Sequence, residues 1–117
     1  MQRELERRIL NGRQRRPTHP GALLREDLMP AAGITQAALA KALGVSRKTV
    51  SEIVLEQRPL TVDMAVRLGK FFENGPAFWL RMQQGVDLWD AIQANRTKYE
   101  KITPIHDKKK PLKRRAA

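Results

Sequence analysis

The sequence predicts an all-α domain of five helices. Apolar residues through the middle of the chain recur at three- and four-residue spacing, the repeat of a helix face. No stretch shows the two-residue alternation of a half-buried strand. Turn and capping residues (Pro20-Gly21, Gly33 with Thr35, Gly44 with Ser46, Thr61, Asn74-Gly75-Pro76) cut that middle into five pieces.

The first piece opens at Pro20-Gly21 and places Leu23, Leu24 and Leu28 at helical spacing. It is expected to close before Pro30, because an interior proline breaks a regular helix. Gly33 interrupts the chain, and Thr35 caps a second helix with Leu39, Ala40 and Leu43 as its apolar stripe. Gly44 suits the left-handed residue that ends it. Ser46 caps a third helix that turns Val50, Ile53 and Val54 inward. Thr61 caps a fourth, with Ala65, Leu68, Phe71 and Phe72 on its apolar side. Pro76 begins a fifth at the first-turn position where proline is tolerated. Gly85 within it costs about 1 kcal/mol relative to alanine. It either admits a close neighbour or marks a break capped by Asp87; we expect a continuous helix.

A chain of 117 residues with 41% hydrophobic side chains fits one domain with a modest core. It has no cysteine, which removes disulfides and Cys-based zinc sites. No apolar run approaches the roughly 18 residues that cross a bilayer. The opening "MQRELERRILNGRQRRP" is charged throughout and unlike a secretory signal. A soluble, bacterial-type cytoplasmic protein without a membrane partner is expected.

The net charge of +11 is unevenly spread. Residues 1–16 hold six arginines against Glu4 and Glu6, a net +4; residues 17–95 balance eight basic against eight acidic groups. Residues 96–117 hold nine basic groups against Glu100 and Asp107, a net +7. The chain therefore divides into a basic arm (1–16), a neutral domain (17–95) and a basic tail (96–117). Basic arms suit a polyanion, since neutralising phosphates releases counterions. They equally suit solubilising tails, and charge alone leaves both readings open. Arg3, Arg7, Arg8, Arg13, Arg15 and Arg16 can follow DNA, enter a minor groove or meet an acidic partner. Leu5 and Ile9 hint at a transient helix in the arm. The last ten residues are expected to be disordered.

The stretch "QAALAKALGVSRKTVSEI", residues 36–53, carries the functional signal. Two short helices meet at a brief turn, the pattern of a helix-turn-helix. Ala40 is small where the helices approach, Gly44 permits the turn, and Val45 fills the angle. Arg47, Lys48, Thr49, Ser51 and Glu52 are left for other faces, and the start of such a second helix enters the major groove. Arg47 and Lys48 suit guanine O6 and N7, and Thr49 suits a thymine methyl. Glu52 can accept from cytosine N4 or steady a neighbouring side chain; Lys48 and Glu52 can also form an ordinary i,i+4 pair.

The run from His19 to Trp89 resembles the HigA/VapI-type antitoxins, a branch of the Xre, lambda-repressor-like DNA-binding domains. The likeness covers about residues 18–92. Its more specific marks are His19-Pro20-Gly21, the Thr-x-Asp-x-Ala-x-Arg-Leu run at 61–68, and Phe78-Trp79-Leu80. The resemblance implies a five-helix domain, a homodimer and repression of its own operon through a palindromic operator of double-stranded DNA. It also implies neutralisation of a HigB-type toxin, a RelE-fold ribonuclease that cleaves mRNA. The family's recognition positions fall on Arg47, Lys48 and Glu52, with Thr49 and Ser51 beside them. Gln36 and Ser46, at two helix starts, would hold phosphate. Arg58 is either a further phosphate contact or a solvated loop arginine. Leu55-Glu56-Gln57 stands where many members have Asn-Gly-Lys, so turn contacts that depend on Asn or Gly are not expected here.

Trp79, Met82, Val86 and Trp89 follow one another at three, four and three residues, a heptad-like seam suited to dimerisation. A two-fold dimer would set two recognition helices roughly 34 Å apart and call for a palindrome. The same seam can instead close the monomer's core.

Enzymatic readings lack the parts. His19 and His106 are far apart, Glu26 and Asp27 are adjacent and pair poorly as acid and base, and no glycine-rich phosphate loop exists. His19 reads as a structural or capping residue. No catalytic residue, metal or cofactor is expected. Three functions stay in play: an antitoxin-repressor, a plain Xre-type repressor without a toxin, and an adaptor whose arms bind protein or RNA.

Overall fold

The computed structural model describes residues 15–106, which form five helical segments and, among the described residues, no strand. α1 spans 20–32, α2 Gln36–Leu43, α3 Arg47–Val54, α4 Val62–Phe71 and α5 Pro76–Glu100.

α1 does not close before Pro30. It runs as α-helix over Pro20–Leu23, widens to a π-helix over Leu24–Leu28, and resumes over Met29–Ala32. In the wide turn the Met29 N–H donates to the Leu24 carbonyl, five residues back. Pro30 has no N–H to give, and its ring would collide with the i−4 carbonyl of a regular helix. A wide turn immediately before it accommodates both problems. The helix ends instead at Gly33, with φ 62.

The other boundaries follow local chemistry. Thr35, Ser46 and Thr61 each accept from the backbone N–H three residues on, at 3.1, 3.1 and 3.2 Å. Each satisfies a donor that the first helical turn leaves without a partner. Gly44 closes α2 at φ 72. After α3 the left-handed position falls on Glu56, φ 60, so the turn survives without the usual glycine. α5 passes through Gly85 without a break and continues beyond residue 95 to Glu100. Its irregularity is at Asn95 (φ −125, ψ 21), whose Nδ2 donates to the Ala91 carbonyl at 3.2 Å.

All five helices feed one core. Leu24 from α1, Leu39 from α2, Ile53 from α3, Leu68 from α4 and Trp79 from α5 are at most 1% exposed. Burying each aliphatic side chain of this kind contributes about 1.5–3 kcal/mol. The Trp79 indole N–H donates to Asn74 Oδ1 at 2.8 Å, so its one polar atom is satisfied. α1 lies so close to α3 that a Cβ at Gly21 would run into the Ile53 carbonyl oxygen. Gly21 is thus required by packing. Phe71, expected inward, is instead exposed and meets Phe72 edge-on with centroids 4.9 Å apart.

The seam expected on α5 is corrected by burial. Trp79 and Val86 are 0% and 1% exposed, inside the monomer, and cannot present a face to a partner. Met82 and Trp89 are half-buried. Projected at 100° per residue, Trp79, Gln83 and Val86 form the inward stripe. Phe78, Met82, Gly85 and Trp89 form the neighbouring one, at spacings of four, three and four. A shallow groove lined by Pro17, Phe78, Arg81, Met82 and Gly85 runs along that second stripe.

Candidate nucleic-acid interface

The surface around α2 and α3 is built from short-range caps and long-range braces. Val50, Ile53 and Val54 anchor α3 in the core, which turns its opposite side outward. Arg47 and Lys48, in its first turn, are exposed. Among the described residues neither has an ion-pair or hydrogen-bond partner, and Lys48 makes no pair with Glu52. Two solvated cations therefore stand at a helix start that already points backbone N–H groups outward, an arrangement that attracts phosphate and guanine acceptors.

Ser46 and Thr49 are more constrained. Ser46 Oγ accepts from the Thr49 N–H at 3.1 Å and lies 2.9 Å from Thr49 Oγ1. Their hydroxyls are engaged with each other and with the cap. Ser51 and Gln36 are half-buried, and Gln36 begins α2 directly after its Thr35 cap. Glu52 faces Arg58, at 3.6 Å between Oε1 and Nη1. Two residues with separate expected roles, one for a base and one for a phosphate, thus form an ion pair with each other. Arg58 is not the freely solvated loop arginine.

Three arginines that sequence reading left without a structural role hold this region in place. Arg25 of α1 donates to the Val54 carbonyl at 2.6 Å and pairs with Glu56 at 3.3 Å. Its cation sits at the C-terminus of α3, where the helix dipole favours it. Arg16 forms a two-pronged pair with Asp90, both bonds 2.8 Å, and reaches Glu56 at 3.4 Å. The paired guanidinium holds the Asp90 carboxyl below its usual range. Arg16 is therefore tied to α5 and the end of α3, while Arg3, Arg7, Arg8, Arg13 and the tail from residue 107 lie outside the described residues. Arg67 of α4 donates from Nε to Asp63 at 2.8 Å and from Nη1 to the Leu43 carbonyl at 2.8 Å, across the helix-turn-helix turn. The only sequence signal for it was its place in the Thr-x-Asp-x-Ala-x-Arg-Leu run.

His19 caps α1: its Nδ1 accepts from the Gly21 N–H at 2.9 Å, which puts the ring proton on Nε2. The side chain is buried, and burial pushes its pKa down. Its work is structural. Among the described residues no cluster suited to a metal ion occurs, and no helix is long and apolar enough to cross a membrane.

The helix-turn-helix family profile matches residues 24–79. Antitoxin HigA-1 of Vibrio cholerae is 40% identical over 92 residues, covering 79% of this chain and 87% of the relative. The chain belongs to the HigA family. A solved HigA antitoxin of Pseudomonas aeruginosa, with the higBA promoter, is 43% identical to this HigA-family chain. It superposes with a TM-score of 0.74 over 77% of this chain and 99% of its own. An HTH-type transcriptional regulator of Haemophilus influenzae is 41% identical over 76 residues, 65% of this HigA-family chain and 71% of the regulator.

Proposed function

We propose that this chain is an antitoxin-repressor. As a homodimer it binds a palindromic operator at its own promoter, and it neutralises a HigB/RelE-like, mRNA-cleaving toxin. The observation that carries the DNA half is the pair Arg47 and Lys48, exposed at the capped start of α3 and unpaired among the described residues, in a chain 43% identical to an antitoxin solved with the higBA promoter. Arg47, Lys48 and Glu52 read base edges, with Thr49 and Ser51 packed beside them. Gln36 and Ser46 contribute phosphate contacts through the backbone N–H groups at their helix starts. Arg58 adds a further phosphate contact only by leaving Glu52.

Dimerisation uses the Phe78, Met82 and Trp89 stripe, which is apolar and half-exposed beside the Pro17 groove. The toxin docks away from α3, so that one dimer can serve both partners. The protein acts in the cytoplasm and joins the nucleoid when bound to DNA. The division into an arm to residue 16, a domain to 95 and a tail is adjusted in this reading: Arg16 and residues 96–100 belong to the folded unit.

The test is a native pull-down from the chain's own host, with mass spectrometry of what stays bound. A small basic protein in near-stoichiometric amount, whose expression alone stops growth, is the expected result. A clean pull-down would leave instead a plain Xre-type repressor without a toxin partner.

A further inference from the structure

We propose that Arg67 is a positioning residue for sequence-specific DNA reading, held in that role by Asp63. The inference rests on the DNA-binding half of the proposed function. The turn between α2 and α3 sets how the phosphate-facing start of one helix is placed relative to the base-facing start of the other. That turn passes through Gly44 at φ 72, a conformation with no side chain of its own to fix it. While Val45 packs against the core, the one hydrogen bond to this turn from outside the two helices, among the described residues, is that of Arg67 Nη1 to the Leu43 carbonyl, 2.8 Å long and from 24 residues away. Arg67 in turn is fixed by the 2.8 Å bond from its Nε to Asp63, one helical turn earlier on α4.

The geometry is a fork used twice. A guanidinium offers two donors in a rigid plane, one to the carboxylate and one to the carbonyl, which a lysine cannot reproduce. The cation also lies at the C-terminus of α2, where the dipole strengthens the bond. The guanidinium covers the turn so closely that a Cβ at Gly44 would sit 3.3 Å from Nη1. Side chains that read bases must be held within about 0.5 Å of their productive positions by neighbours that are themselves fixed. Asp63 and Arg67 supply that hold from outside the interface, and they assign a task to the Thr-x-Asp-x-Ala-x-Arg-Leu run.

The experiment compares binding of the parent, Asp63→Ala, Arg67→Lys and Arg67→Ala to two duplexes across a salt series. One carries the site that the parent selects from a random library, and the other is its scrambled counterpart. Asp63→Ala removes a negative charge, so Coulomb attraction alone would strengthen binding to both. The brace requires the opposite for the selected site: a loss of about tenfold, the scale of one charge-assisted hydrogen bond, with scrambled binding unchanged or tighter. Arg67→Lys, which keeps the charge, is expected to show the same loss with an unchanged salt slope.

Full selected-site affinity in Arg67→Lys would overturn the proposal in favour of simple charge. A salt slope lower by about one in Arg67→Ala would mark a direct phosphate contact and overturn it too. So would an equal loss on both duplexes. Asp63 is an exposed carboxylate, so Asp63→Ala carries the test even where a change at Arg67 impairs folding. A parent that selects no site would sink the DNA reading along with the brace, whereas a selective parent with unaffected variants would sink the brace alone.

Discussion

Arg47 is exposed and, among the described residues, without a partner, so replacing it removes nothing that the described fold uses. Arg47→Ala should cost about 1–3 kcal/mol of operator affinity and relax one base position, with the melting temperature unchanged. A gel-shift series over single-base operator variants, beside a thermal melt, checks both. His19 gives the opposite kind of residue: buried, essential to a cap, and titratable. Burial holds its folded pKa below the ordinary 6.5, so on acidification the unfolded chain takes up the proton first. Its contribution is therefore complete above 6.5 and declines as pH falls below that toward the depressed folded value. Urea midpoints followed from pH 7.5 downward should drop in the parent. They should drop less in His19→Asn, which can cap without titrating near neutrality. The role of His19 was legible because a cap is a local device, readable from His19-Pro20-Gly21. The long-range partners of Arg16, Arg25 and Arg67 were not, since the bonds to Asp90, to the Val54 carbonyl and to the Leu43 carbonyl each span 24 residues or more of chain.

Among the elements, the short helices α2 and α3 were read closely because their starts and stops are written in adjacent residues: Thr35 and Gly44 for one, Ser46 for the other. α1 and α5 were read less well, each for a physical reason. Pro30 signals the end of a helix only if the preceding turn is regular, and the π-helical turn over Leu24–Leu28 removes that condition. On α5 two stripes run side by side, one residue apart. Spacing alone merged Trp79 and Val86 with Met82 and Trp89, which burial then separated. The joint between α1 and α3 yields a prediction at this scale. Gly21→Ala places a methyl against the Ile53 carbonyl, backbone against backbone, where neither side can rotate away. It should destabilise by at least about 3 kcal/mol, the upper end for overpacking. Chemical denaturation measures the loss, and Gly33→Ala offers a comparison in open space, where only the left-handed backbone objects.

At the scale of the molecule, a neutral domain carries the proposed recognition surface around α2 and α3 and, elsewhere, an apolar stripe along α5. Met82→Glu, on a half-buried position outside the core cluster, should leave a folded monomer that binds one half-site and loses most of the affinity for a palindrome. Sedimentation velocity and half-site binding read the two effects separately. The contrast between the tryptophans offers a further way to see the same event. Trp79 is fully enclosed, with its indole N–H bonded to Asn74, whereas Trp89 is half-exposed on the stripe. The chain therefore carries two natural fluorophores with different jobs. Emission from Trp79 should stay blue and beyond the reach of acrylamide until the whole fold opens. Emission from Trp89 should be quenched by acrylamide in the monomer and shielded on assembly, so a Trp79→Phe chain would report dimer association and dissociation with no added label.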